Sequence, residues 1–212
     1  MEACIMDILK RIVSSLVILL FAICSSITAV IFISPFLYRL CIGWFNLTDI
    51  SGLTQAQLLE NYDTMLSYLV NPTVHDLNMP YFSMSEGGAQ HFEEVKVLFF
   101  INFVILTILF LLTIWAISYI KKRNWQLVMA PHFTFKLAFP LILLFFIVVA
   151  FDQVFILFHQ LLFNNDLWLF NPLEDPVITV LPQEFFMILF ILALLVYESI
   201  ILGIRKIVYW NK

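Results

Sequence analysis

Charged residues are scarce in this chain. They make up 12% of its 212 residues, whereas 62% are hydrophobic and 23 are phenylalanine. So few charges cannot cover the surface of a water-soluble protein, because apolar side chains would then face water in large patches. The composition therefore excludes a soluble globular protein and predicts an integral membrane protein.

Several motifs of familiar enzymes are also missing. The sequence contains no Gly-x-Ser-x-Gly turn, no Walker loop, no His-Glu-x-x-His helix and no paired Cys-x-x-Cys, so it gives no support to a serine hydrolase, a nucleotide site or a zinc site. The three cysteines, Cys4, Cys24 and Cys41, fall before, within and after the first apolar run. Since they lie in different compartments, we expect no intrachain disulfide.

Four apolar runs are long enough to cross a hydrocarbon core of about 30 Å, which takes roughly 20 helical residues. They cover residues 12–33, 97–120, 137–158 and 185–204. The first run follows basic residues, as a signal peptide does, but it is too long and lacks a small-residue cleavage site. We interpret it as a retained helix. The sequence thus predicts an all-α membrane protein with four transmembrane helices, forming one integral membrane domain over residues 1–212.

Lysine and arginine are distributed unevenly around these spans. Of the eleven basic residues, only Arg39 and Lys96 lie on one side, and the other nine lie opposite. Basic residues are retained on the cytoplasmic side, so we expect both termini to be cytoplasmic and residues 34–94 and 159–183 to form the outer loops. A Thr-x-x-Gln capping box at residue 54 opens an amphipathic pattern. The extracytoplasmic loop region is therefore predicted to be partly helical.

Two histidines lie at the outer mouths of the spans. His91 precedes the second span, with Glu94 on the same helical face, and His159 follows the third. Imidazoles beside carboxylates suit general acid and base catalysis near neutral pH. An ordinary polar helix cap explains the segment around His91 equally well. A metal site is the weaker alternative, because the spacing is not diagnostic of one, and we predict no metal.

Other polar residues are candidates to support the two histidines. Asp152 is predicted about two turns inside the third span, where an unpaired carboxylate costs at least about 2.5 kcal/mol. It either lines a polar cavity or is a buried structural acceptor. Arg39 and Lys96 can hold a carbonyl or an oxyanion, although such side chains more often reach lipid headgroups. Trp168 suits an interfacial anchor, and Asp175 suits a loop-ordering turn.

Two stretches around the histidines carry a family resemblance. Residues 85–96 read Ser-Glu, then His-x-x-Glu-Val-Lys. Residues 158–186 contain His159, Phe163, Trp168, Pro172, Asp175, Pro176, Ile178, Leu181, Pro182, Phe185 and Phe186. With the four-span layout, these stretches resemble the bacterial lipoprotein intramolecular transacylase family, known as Lit. Glu94 departs from the pattern, since an aspartate is expected there.

The resemblance implies an acyltransferase of the bacterial cell membrane, with its active site on the extracytoplasmic face. It implies transfer of the sn-2 acyl chain of a diacylglyceryl-cysteine lipoprotein to the amine of that same N-terminal cysteine, which gives a lyso-form lipoprotein. The family's essential histidines carry over to His91 and His159. The implied partners are the diacylated lipoprotein and membrane lipid, with no cofactor and no nucleic acid.

The sequence is also compatible with a membrane protein that is not an enzyme. The outer loops of a non-enzymatic membrane accessory subunit would bind a partner protein, and its polar hairpin would only order the spans. The oligomeric state is equally open.

The charge distribution makes the topology testable. Single cysteines introduced in intact cells should react with an impermeant thiol reagent at Gln160→Cys and not at Lys122→Cys, because only the former is expected outside. Labelling with the opposite pattern would contradict the predicted orientation.

Overall fold

The computed structural model describes residues 2–210, with side chains from residue 5 onward, so the side chain of Cys4 and all of Lys212 lie outside the described part. Within residues 2–210 the secondary structure is entirely helical. The elements are α1 (Glu2–Trp44), α2 (Leu47–Ser51), α3 (Gln55–Val70), α4 (Glu86–Lys122), α5 (Gln126–Val149), α6 (Phe151–Leu162), a 3-10 helix (Pro176–Val180) and α7 (Gln183–Tyr209).

Four of these helices are long and apolar enough to cross a membrane: Ile5–Trp44, Glu86–Lys122, Gln126–Val149 and Gln183–Tyr209. Their many exposed leucine, isoleucine and phenylalanine side chains suit contact with lipid. The expected all-α membrane protein with four spans is confirmed.

The first helix extends much further than its predicted span. It continues through Pro35 to Trp44, so the first part of the predicted outer loop is helical. Proline removes the hydrogen bond that its N–H would make to the carbonyl four residues earlier. Here the hydroxyl of Ser34 donates to that carbonyl, Ile31 O, at 2.7 Å. The freed acceptor is satisfied, and the helix continues.

The third predicted span, residues 137–158, is divided in the structure. Helix α5 ends at Val149, α6 begins at Phe151, and Ala150 between them has φ −141° and ψ 46°. Neither proline nor glycine marks the break, so the sequence offers no signal for it. Asp152 consequently lies in the first turn of a short separate helix instead of deep within a span.

Packing divides the chain into two compact units. One comprises Ile31–Ile101 and Ile147–Phe190. Its core contains the rings of Tyr38 and Tyr62, stacked at 4.2 Å, with Phe185 against their edges at 5.5 and 5.9 Å. The predicted capping box of α3 is confirmed, because the side chain of Thr54 accepts from Gln57 N and Gln57 accepts from Thr54 N.

The other unit comprises the described parts of Met1–Val30, Asn102–Phe146 and Ile191–Lys212. Its core contains Ile18, Met129, Phe133 and Ile201. In the same unit His132 lies within α5, where its Nδ1 is 3.1 Å from the hydroxyl of Ser15.

Candidate active site

The fold brings together the two histidines that the sequence singled out. His91 lies in the second turn of α4, and His159 lies near the end of α6. Their ring centroids are 5.9 Å apart, with an interplanar angle of 37°. Both belong to the same compact unit. The pair is the centre of the candidate active site.

His159 is held by aromatic rings and one hydrogen bond. Its ring lies between Phe155, with a centroid distance of 4.2 Å, and the stacked indole of Trp168 at 4.8 Å. Its Nδ1 lies 2.8 Å from the carbonyl oxygen of Phe155. A carbonyl can only accept, so Nδ1 carries the proton and the neutral ring keeps its basic lone pair on Nε2.

The surroundings of His159 also keep it neutral. Burial lowers the pKa of the His159 imidazole below its ordinary value, and the hydrogen bond to Phe155 opposes only part of that shift. A lowered pKa leaves more of the ring unprotonated at a given pH, so His159 is available as a proton acceptor near neutrality.

His91 is buried more deeply, with 7% of its surface exposed. Phe163 and Phe170 contact it edge to face, at centroid distances of 4.7 and 5.6 Å. Its Nδ1 is buried and has no hydrogen-bond partner among the described residues. A buried polar atom without a partner costs about 1–3 kcal/mol, and such atoms are concentrated where a ligand supplies the missing contact.

A carboxylate and an amide connect α4 to the loop that follows α6. The side-chain amide of Asn165 donates to both oxygens of Glu94, at 3.0 and 3.1 Å. The indole N–H of Trp168 donates to the carbonyl oxygen of Asn165 at 3.0 Å, and Trp168 stacks on His159. Thus Glu94, three residues after His91, is linked through Asn165 and Trp168 to the second histidine.

Asn165 was not among the candidate site residues predicted from the sequence. The signal available was its position in the Asn-Asn-Asp turn, where its Oδ1 accepts from Leu167 N at 3.1 Å. That pattern predicts a turn but not a partner elsewhere in the chain.

Asp175 attaches the same loop to the start of α4. It is 4% exposed, and its oxygens accept from Ser85 N at 2.7 Å and from the Ser85 hydroxyl at 2.8 Å. The Ser85 hydroxyl in turn accepts from Gly88 N at 2.9 Å, which caps α4. A negative charge is favoured at a helix N-terminus. We call these residues, Ser85, Gly88 and Asp175, the α4 latch.

The remaining supporting candidates make their described contacts with residues other than the two histidines. Asp152 accepts a hydrogen bond from Gln183 at 2.7 Å. Lys96 donates to the carbonyl oxygen of Val74, and its ammonium lies 4.2 Å from the ring of Tyr68. Arg39 is exposed. None of these contacts brings Asp152, Lys96 or Arg39 to either imidazole.

Metal-binding side chains do not cluster in the described residues. No group of three or more histidine, cysteine, aspartate or glutamate side chains is placed to hold an ion there.

Fold and site together define an all-helical integral membrane protein whose candidate site is a pair of histidines enclosed by aromatic side chains. The model of one family, lipoprotein intramolecular transacylase Lit, matches residues 12–186. The chain therefore belongs to the lipoprotein intramolecular transacylase family. The resemblance noted in the sequence is confirmed. Because this is a family of enzymes, the alternative of a non-enzymatic accessory subunit is wrong.

Solved structures agree with this assignment. An in meso structure of the membrane integral lipoprotein intramolecular transacylase Lit from Bacillus cereus is 29% identical, with a TM-score of 0.87 over 95% of this chain and 93% of that chain. Two variants of the Bacillus cereus protein, with a histidine replaced by arginine or by alanine, are each 28% identical with TM-scores of 0.82. They cover 98% of this chain and 92% or 94% of theirs. No curated protein matches the chain.

The α4 latch can be tested with two neighbouring glycines. A Cβ added at Gly88 would lie 2.4 Å from Asp175 Oδ1, whereas one at Gly87 would lie 3.3 Å from Leu167 Cδ2 and 3.8 Å from the Ser85 hydroxyl, without a clash with Asp175. Gly88→Ala should therefore lower the free energy of unfolding in detergent by about 1–3 kcal/mol. It should also lower transacylation. Gly87→Ala is the matched control, since both changes bring the same gain in helix propensity. Equal melting temperatures for the two variants would contradict the latch.

Proposed function

We propose that this chain moves the sn-2 acyl chain of a diacylglyceryl-modified cysteine to the α-amine of the same cysteine, leaving a lyso-form lipoprotein. The observation that carries the proposal is the pair of imidazoles 5.9 Å apart, one with its basic nitrogen free and the other with a buried nitrogen that lacks a partner. The family assignment supplies the class of reaction.

His159 is the base in this proposal. An α-amine has a pKa near 8 and attacks an ester only after it has lost its extra proton. With Nδ1–H donating to Phe155, Nε2 of His159 accepts that proton. Because the tilted ring of Phe155 and the stacked indole of Trp168 pack against the His159 ring and limit its rotation, its lone pair stays in one direction.

His91 is the donor. The neutral amine nitrogen attacks the sn-2 carbonyl carbon, and negative charge develops on the carbonyl oxygen, where a hydrogen bond from the His91 ring stabilises it. The bond between the carbonyl carbon and the sn-2 oxygen then breaks. The nitrogen loses its second proton, and the sn-2 oxygen gains one through the imidazoles. The proton that His159 took first passes to water, and the products are an amide and a glycerol hydroxyl. The exchange needs no cofactor.

Direct transfer is favoured over an acyl-enzyme. Amine and ester belong to one substrate molecule, so holding them together already gives a high effective molarity. The thiol nearest to the outer surface, Cys41, is 0% exposed and belongs to the core around Tyr38. A nucleophile must reach its carbonyl carbon, and burial in that core prevents it.

In this proposal the site lies on the extracytoplasmic face of the bacterial cell membrane, and the uneven distribution of lysine and arginine supports that orientation. Its partners in this proposal are a diacylated lipoprotein and the surrounding lipid. The apolar rings around the histidines suit the proximal part of an acyl chain.

Replacing either central histidine tests the mechanism. His91→Ala and His159→Ala should each lower transacylation by at least about 100-fold, because each removes a proton-transfer group, while exposed His75→Ala should be close to normal. The measurement is mass spectrometry of N-terminal lipopeptides from a host that otherwise makes only diacyl lipoproteins. Membrane levels of each variant confirm insertion. Full activity in either central variant would overturn the assignment.

The absence of an acyl-enzyme is tested at Cys41. Cys41→Ala should retain activity, and intact-protein mass spectra during turnover should show no acyl adduct. A hydroxylamine-sensitive adduct that disappears together with activity in Cys41→Ala would replace direct transfer by a two-step route.

A further inference from the structure

Glu94 is a carboxylate without a cationic partner beside the histidine pair. It is half-buried and lies one helical turn after His91, close enough to interact with it electrostatically. Among the side chains that the structure describes, no lysine or arginine forms an ion pair with it. Lys96, two residues further along α4, is directed to Val74 O and to the ring of Tyr68. Among the described side chains, the Glu94 carboxylate therefore has amide donors but no cationic partner.

The orientation of Glu94 is fixed without using up its acceptor capacity. Asn165 donates to both oxygens, and Gln90 lies 3.4 Å from one of them. An ionised carboxylate offers about four lone-pair sites, and amide donors bring no charge. At least one acceptor position and the whole negative charge remain for another ligand.

The substrate of the proposed reaction brings a matching charge. Below a pH of about 8, most of the α-amine of the N-terminal cysteine is an ammonium group. It must come beside His159 before it can lose a proton. A neutral imidazole cannot offset its charge, and moving an unpaired cation into a half-buried site is costly.

We propose that Glu94, held by Asn165, binds the α-ammonium group of the lipoprotein's N-terminal cysteine and presents it to His159. This inference rests on the proposed function and adds the recognition of a primary ammonium group at that site. The carboxylate accepts one ammonium N–H, and Nε2 of His159 takes another proton to release the neutral nucleophile. Glu94 is therefore a binding residue that holds the amine, whereas the two imidazoles transfer protons.

A purely structural role for Glu94 makes a different prediction. If the carboxylate only anchors the loop through Asn165, its loss should weaken binding of every substrate analogue equally, at all pH values. If it binds the ammonium group, its loss should affect only analogues that carry the charge. Glutamine separates the two roles, because its side-chain oxygen still accepts from Asn165 while the charge is removed.

The binding experiment uses two analogues that cannot react, with the full-length protein in lipid nanodiscs. Both are diacylglyceryl-cysteinyl peptides in which an ether replaces the sn-2 ester, and one also lacks the α-amine. The wild-type chain should bind the amine analogue more tightly by about tenfold or more, the range of a charge-assisted hydrogen bond. Glu94→Gln should lose that preference and bind the des-amino analogue as the wild type does. Glu93→Gln, an exposed neighbour on α4, is the matched control and should keep it.

The pH dependence provides a second readout. The titratable groups on the elements that contact Glu94 or His91 are Glu93 and Lys96 beside Glu94 on α4, His91 one turn earlier, His159 on α6 and Asp166 next to Asn165. Between pH 7 and 9 the substrate α-amine, whose ordinary pKa is near 8, changes from an ammonium group to a neutral amine. The preference of the wild type should therefore decline as the pH rises above about 8.

Three outcomes would overturn the inference: equal weakening of both analogues in Glu94→Gln, no weakening of either, or a preference that does not change with pH. Because neither analogue reacts, the result is independent of catalysis. Transfer that survives loss of both histidines would overturn the proposed mechanism and leave a Glu94-dependent preference standing. If transfer is lost with the histidines but Glu94→Gln keeps the preference for the amine analogue, the mechanism stands and the ammonium site is disproved.

Discussion

The attachment of the loop after α6 to the start of α4 is the contact on which the site depends. The buried carboxylate of Asp175 accepts from both the backbone and the hydroxyl of Ser85, and no side chain larger than that of Gly88 fits beside it. The Asp175 carboxylate accepts from donors at the N-terminus of α4. A carboxylate is favoured there because the N-terminal end of a helix carries partial positive charge. Phe163, Trp168 and Phe170, whose rings contact the histidines, lie in this loop. The contact between Asp175 and Ser85 therefore also helps to position these rings.

Enclosure changes the chemistry of the imidazoles. Aromatic side chains remove water from His159, which disfavours its charged form, and the Phe155 carbonyl selects which nitrogen carries the proton. A base that is neutral and fixed in direction needs little reorganisation when it takes a proton. In the proposed mechanism these contacts prepare an ordinary histidine for proton transfer.

An intramolecular reaction asks less of an enzyme than the transfer of an acyl group between two molecules. The ester and its nucleophile arrive already joined, so the protein contributes orientation, charge compensation and movement of protons. The proposed site meets these needs with two imidazoles, one carboxylate held by an amide, and aromatic rings. The joined ester and nucleophile also explain why the buried thiol of Cys41 has no part in the proposed mechanism.

Composition and the lengths of apolar runs determined the all-helical membrane fold with four spans, because crossing a hydrocarbon core requires about 20 apolar residues in a structure that satisfies its own backbone. Local patterns likewise determined the start of α3 at Thr54 and marked His91 and His159 as candidates. The tertiary structure alone decided the break at Ala150, the pairing of Asn165 with Glu94, and the contacts of Asp152 with Gln183 and of Lys96 with Val74. These depend on contacts between residues far apart in the chain, such as Ser85 with Asp175, and no local periodicity specifies which distant side chain will meet a given donor.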